Sequence, residues 1–162
     1  MVGDNKGVKW AVVSLDHAPK QEKEVRSAVL DQKGCQFSPH VLVVSVGGLV
    51  KILNPDGVLH NFHAHSSKNP PVNKAQPKFK KEMEVAFSEP ERFRITCDAH
   101  GWMEGWIVVR EHPFYSVTDG EGRFRMEEVP AGTHVIRVWH ESKEFNVAEI
   151  VVKPGETIKI VF

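Results

Sequence analysis

Cys97, His100 and Met103 stand three residues apart within Ile95–Val109, I-T-C-D-A-H-G-W-M-E-G-W-I-V-V. The segment reads as a short loop between two strand-like runs, and it carries one thiol, one imidazole and one thioether. Thiolate and thioether are soft donors and imidazole is borderline. A trigonal Cys/His/His set with a long, weak bond to Met is the pattern of an electron-transfer copper centre. The loop lacks one donor of that set, a second histidine. Asn54-Pro55-Asp56-Gly57-Val58-Leu59-His60-Asn61 supplies a candidate, because a strand ends there in a turn-forming N-P-D-G and His60 follows.

The two strings together, N-x-D-x-x-x-H-N and then C-x-x-H-x-x-M-x-G, resemble the cupredoxins, the small blue-copper proteins of the plastocyanin, amicyanin and pseudoazurin type. The short ligand loop is most similar to the last two. The resemblance covers residues 36–110. It implies a Greek-key β-sandwich with a mononuclear type 1 copper site that cycles between Cu(I) and Cu(II). His60, Cys97 and His100 would form the copper plane, Met103 would be the axial ligand, and Asn61 would tie the two ligand loops together. It also implies a periplasmic or extracellular electron carrier, not an enzyme, that meets redox proteins such as cytochromes or a periplasmic oxidoreductase.

Taken singly, these residues have bland explanations: a buried cysteine, surface histidines and a core methionine. Four donors at matching spacing, in matching strand context, favour the metal. Zinc is the chemical competitor, since one thiolate and two imidazoles also suit it; Met103, a poor zinc ligand, tips the balance. Cys35, His40, His63 and His65 are left over. They point to a second metal site, to an altered first one, or to a packed thiol and solvated histidines. A Cys35–Cys97 disulfide is a further option, and it would consume the copper thiolate. Trp102 falls between two ligands, so it reads either as a docking residue at the mouth of the site or as loop packing.

Composition bounds the rest. The chain has 162 residues, enough for one domain or two small ones, and 21 basic residues balance 21 acidic ones. That balance argues against nucleic acid as a partner, because neutralising phosphates takes a clustered basic excess. No apolar run approaches the length of a membrane span. The opening Met1-Val2-Gly3-Asp4-Asn5 lacks a secretory leader and reads as a mature protein with an added Met1. Two cysteines are too few for a disulfide framework.

The expected architecture is all-β. Val8–Leu15 reads as a strand, and residues 16–34 as a charged connector with a short helix considered over 22–30. Val41–Val46 and Leu49–Leu53 around Gly47-Gly48 read as a hairpin. Val58–Ala64 is a strand, residues 65–78 a loop, and Phe79–Phe87 a half-buried strand with Phe79, Met83, Val85 and Phe87 on one face. Arg92–Cys97 and Glu104–Arg110 flank the ligand loop.

Beyond His112-Pro113 the pattern changes to short strands and Gly-rich turns. The string T-D-G-E-G-R-F-R…V-P-A-G-T-H-V-I-R-V is similar to the carboxypeptidase regulatory-like, transthyretin-like β-sandwich, over residues 114–162. Strands are expected on both sides of Asp119-Gly120-Glu121-Gly122, at His134–His140, and in a closing hairpin of Glu149–Val152 with Thr157–Phe162. This gives a cupredoxin domain at 36–110 and a regulatory-like sandwich from 1–35 with 111–162, the first inserted into the second. Assigning Val8–Leu15 to the cupredoxin is the rival arrangement. A copper enzyme with an open metal position, and a non-redox module of an envelope assembly, are the rival functions.

Overall fold

The computed structural model describes residues 7–16, 18, 25 and 27–161, and among these every regular element is a strand. In chain order they are β1 (Val12–Asp16), β2 (Ala28–Asp31), β3 (Val41–Ser45), β4 (Leu49–Leu53), β5 (His60–Ala64) and β6 (Val72–Gln76). There follow β7 (Glu82–Ala86), β8 (Arg92–Thr96), β9 (Glu104–Arg110), β10 (Tyr115–Val117), β11 (Gly132–His140) and β12 (Lys143–Val152). The chain divides into two compact units, one of residues 1–21 with 112–162, the other of residues 22–111. No helix of the described residues is long and apolar enough to cross a membrane.

The 22–111 unit is a sandwich of two sheets, ordered β2-β4-β7 and β3-β9-β8-β5-β6. Period-two alternation builds it. Met83 and Val85 of β7, and Phe93 and Ile95 of β8, are buried between exposed Glu82, Glu84, Arg92 and Arg94. The inward faces of both sheets meet in one core: Leu30, Val50, Ile52, Met83, Val85 and Phe87 from one side, Val44, Phe62, Phe93, Ile95 and Ile107 from the other.

Several expectations need correction here. The helix considered over 22–30 falls partly outside the described residues; within them Ala28–Asp31 is a strand, paired in parallel with β4. It therefore belongs with the 22–111 unit and not with a connector. β3 and β4 do not form a hairpin. Val46 N still donates to Arg110 O at the end of β9, while Gly47 N donates to Phe87 O beyond β7, so the chain changes sheets between these two residues. Gly47 makes the step at φ 74°, which a glycine adopts without strain. β6 occupies part of the expected 65–78 loop; it is a polar edge strand, four of its five residues at least partly exposed, so it carries no apolar alternation to read. Phe79 lies before β7 and is 80% exposed instead of sharing the buried face.

The other unit forms one antiparallel sheet, β10-β1-β11-β12. Val12–Asp16 lies between β10 and β11, with Val13 opposite Ser116 on one side and Val138 on the other. Its own core holds Ala11, Val13, Leu15, Phe114, Ile136 and Val138. The Asp119 turn is tied by its carboxylate, which accepts from Glu121 N and Arg123 N, each at 2.9 Å. No strand forms over 123–125 or 157–161, where the sequence suggests one, and residue 162 lies outside the described residues. Gly122 (φ 73°) and Gly155 (φ 73°) turn the chain just before each of these stretches.

Candidate metal centre

His60 opens β5 and is fully buried, with its side chain on the same pleat face as Phe62 and Ala64. The loop that delivers it is fixed by a buried amide network. Gln32 Nε2 donates to Gln76 Oε1 at 2.6 Å, Gln76 Nε2 to Ile52 O at 3.2 Å, and Asn54 Nδ2 to Gln76 O at 2.9 Å and Val58 O at 3.1 Å. These bonds tie Gln32, Asn54 and Gln76 to one another and to the backbone at both ends of the loop and so fix its path, while Gln32 Oε1 and Asn54 Oδ1 are buried without a partner.

The His60 ring is oriented by Asp56. Its Nε2 lies 3.0 Å from Asp56 Oδ2, and a carboxylate only accepts, so Nε2 carries the proton. In the neutral ring this leaves the lone pair on Nδ1, which is buried and has no hydrogen-bond partner. A desolvated, unpartnered acceptor is costly unless something else takes it up. A histidine with one nitrogen on a carboxylate and the other free is the usual arrangement of a metal ligand. The same Asp56 carboxylate accepts from Gly34 N and Cys35 N, each at 3.1 Å. Those two backbone bonds, and then the one from His60, hold the Asp56 carboxyl below its ordinary range.

The ligand-loop strand context is as expected, with β8 leading in and β9 leading out. Three backbone bonds fold the loop: His100 N to Cys97 O at 3.2 Å, Met103 N to His100 O at 2.9 Å, and Cys97 N to Met103 O at 3.3 Å. Just beyond the loop, Gly105 lets the start of β9 lie close to the segment before β3, since a Cβ there would stand 3.0 Å from the His40 carbonyl oxygen. Cys97 is buried; its Sγ accepts from Asn61 N at 3.3 Å and lies 3.6 Å from His100 Nδ1. Asn61 Oδ1 accepts from Asp98 N at 3.1 Å, so Asn61 fastens the His60 strand to the Cys97 loop on both sides. Met103 is buried and packs into the core of the sandwich. The His60 and His100 rings are 5.0 Å apart, and Trp102, 70% exposed, sits 5.3 Å from His100.

Among the described residues, one trio of donors comes together closely enough to hold a metal ion: Cys35, His60 and His100, with ligand atoms all within 4.8 Å of one another. Cys97 adjoins this trio through His100. His63 and His65 do not join it. Their rings stack at 4.2 Å, and they bond outward, His63 Nδ1 to Asp98 Oδ1 at 3.0 Å and His65 Nε2 to Thr96 Oγ1 at 2.8 Å. Burial, and then the neighbouring His63 and Arg94 charges, lower the pKa of His65. His40 contributes its backbone carbonyl, which accepts from Trp106 N at 2.8 Å. Both cysteines are free, so the disulfide option is not realised.

Asp56 escapes a sequence reading focused on donor spacing. It lies within the N-x-D-x-x-x-H-N string, yet its role depends on the Gly34-Cys35 turn, which is brought to it only by the pairing of β2 with β4. Asp56→Asn keeps the size and removes the charge and one acceptor. Any metal ion held through His60 is expected to bind about 10- to 100-fold more weakly in this variant. Chelator competition reads the affinity, and an unchanged value would remove Asp56 from the site.

No family model and no curated protein sequence matches this chain. Solved structures do resemble it in part. A copper-containing nitrite reductase from Thermus scotoductus is 21% identical with TM-score 0.48, over 62% of this chain and 26% of that one. The chain thus spans about a quarter of the reductase. A purple cupredoxin from Nitrosopumilus maritimus is 22% identical with TM-score 0.44, over 52% of this chain and 100% of its own. An amicyanin mutant in the Cu(I) form is 20% identical with TM-score 0.46, over 60% of this chain and 98% of its own. At TM-scores below 0.5 these likenesses decide nothing about this chain, whose chemistry rests on its own donor atoms.

Proposed function

We propose that the chain binds a single copper ion through His60, Cys97 and His100, with Met103 as a weak axial donor, and carries electrons between redox proteins outside the cytoplasm. The observation that supports this most is the buried His60, whose Nδ1 has no hydrogen-bond partner and whose ring stands 5.0 Å from that of His100, which in turn lies 3.6 Å through Nδ1 from the Cys97 sulfur. Copper bound there would supply a one-electron couple. A thiolate and a thioether in the set favour it over zinc.

The chain's own part is to keep the donors still. Asp56 fixes the His60 ring, Asn61 fixes the Cys97 loop, and Asn61 N–H donates to the Cys97 sulfur, which stabilises sulfur as thiolate. The donors sit on strands of one sheet and a loop cross-braced by backbone bonds, so little rearranges when charge changes.

The experiment is the visible and EPR spectrum after one equivalent of Cu(II). An intense thiolate-to-copper charge-transfer band supports the reading; a colourless adduct overturns it.

In this reading electrons enter by the exposed edge of the site, where Trp102 lies against His100 and its indole faces solvent. Buried aromatic anchors dominate most transient contacts between proteins. Trp102→Ala is expected to slow electron exchange with a c-type cytochrome on the order of tenfold, with the visible spectrum unchanged. Equal rates would return Trp102 to loop packing.

A further inference from the structure

Cys35 stands outside the four donors just named, and it comes from a different part of the chain, the turn between β2 and β3. Its thiol nevertheless belongs to the trio whose donor atoms all lie within 4.8 Å of one another, with His60 and His100. Two ligands of one ion are separated by at most the sum of their bond lengths, about 4.4 Å for sulfur at 2.3 Å and nitrogen at 2.1 Å. The trio is therefore within a small adjustment of sharing one ion.

The position of Cys35 is held by several contacts. Its backbone lies at φ 54°, directly after Gly34 at φ 69°. A residue with a side chain adopts that conformation only where its surroundings insist on it. Here the Asp56 carboxylate insists, taking both N–H groups of the turn. The oxygen that accepts from Cys35 N is the oxygen that accepts from His60 Nε2. One carboxylate thus braces the backbone of Cys35 and the ring of His60, two residues whose donor atoms stand together.

We infer that Cys35 is a ligand of this metal centre, giving it a second thiolate; the inference rests on the metal-site reading above. On binding, a metal–sulfur bond forms and the thiol's proton leaves to solvent. Cys35, Cys97, His60 and His100 are together two thiolates and two imidazoles. That set suits a d10 ion, Cu(I) or Zn(II), better than it suits Cu(II). The centre then favours the reduced state of copper and takes up zinc in competition with it.

Co(II) is the probe, added to the full chain, because each thiolate bound to it adds charge-transfer absorption in the near ultraviolet. Absorption per cobalt is expected to fall by about half in Cys35→Ser, by about half in Cys97→Ser, and to vanish in the double variant. A band lost only in Cys97→Ser would overturn the role of Cys35 and leave the metal site standing. No band in the unaltered protein would overturn both. Mapping alkylation by iodoacetamide in the unaltered protein gives a second reading that does not depend on any variant folding. Co(II) is expected to slow modification of Cys35 about tenfold or more, since a coordinated thiolate is no longer a free nucleophile. Modification of Cys35 at the same rate with and without metal would overturn the inference.

Discussion

Cys97→Ser is expected to remove the charge-transfer absorption that the Cys97 thiolate gives the copper-loaded protein and to weaken copper binding by more than the roughly 10- to 100-fold that loss of a supporting residue costs. The reason is the nature of the atom. Serine oxygen is harder than sulfur, stays protonated at neutral pH, and has no filled orbital close enough in energy to give a visible charge-transfer band. The fold is expected to survive. Cys97 Sγ accepts a hydrogen bond from Asn61 N at 3.3 Å, and a serine hydroxyl can accept the same bond, so the buried N–H keeps a partner. A cost of about 1 kcal/mol is the scale for such an exchange in a tight interior. Full retention of the band would remove Cys97 from the copper set. Loss of the band together with loss of the folded state, seen by circular dichroism, would show that the sulfur matters first to packing.

The second large effect lies away from the metal, where Glu91 holds the turn that follows β5. Its carboxylate accepts from Ser66 Oγ, from Ser67 N at 2.7 Å, from Ser67 Oγ at 2.8 Å, from Lys68 N at 3.1 Å and from Asn69 Nδ2 at 3.1 Å. Asn69 passes the constraint on, accepting from Ser88 N at 2.8 Å and Glu89 N at 2.9 Å. Burial alone would raise the Glu91 pKa, but the donors outweigh it and bring it from 4.5 down to about 2. A depressed folded-state value means stability that is fully present above the unfolded value and is lost as pH falls from about 4.5 through about 2. Glu91→Gln turns an amide N–H₂ toward these donors. Its expected cost near neutral pH is on the order of 2–3 kcal/mol, shrinking toward zero as the medium approaches pH 2. Urea denaturation of both proteins at pH 7 and pH 3 checks it; an equal gap at the two pH values would mean that the charge of Glu91 is not the cause.

The parts of this structure that were legible in the sequence are those in which a local pattern carries the information. β7 and β8 announce themselves by alternation, and the ligand loop by the three-residue spacing of Cys97, His100 and Met103. Sulfur and imidazole of the first two do lie together, 3.6 Å apart. What escaped were features set by partners far along the chain. Gly47-Gly48 looks like any hairpin turn, and only the bonds from Val46 to Arg110 and from Gly47 to Phe87 divert it into a change of sheet. β6 escaped because Pro70 and Pro71 precede it and because an edge strand with Asn73 and Lys74 exposed has no face to declare. Ala28–Asp31 sits among mixed charges and becomes a strand through its parallel partner. At the candidate metal centre the same distinction holds: the candidate donors of the ligand loop are local signals, whereas Asp56, which reaches both His60 and the Cys35 turn, is meaningful only once β2 and β4 are side by side.

The place of β1 has a consequence for the order in which the protein is made. Val12–Asp16 finds its ladder partners at Tyr115–Val117 and at Val135–Trp139, so on the ribosome it emerges long before either exists. Throughout that interval the residues between can complete their sandwich, while the apolar β1 waits with both edges open. An unpaired apolar strand is a template for pairing with another chain. Nascent chains stalled before β11 are therefore the forms of this protein most in need of a chaperone, even though the unit that holds the candidate metal donors could by then be finished.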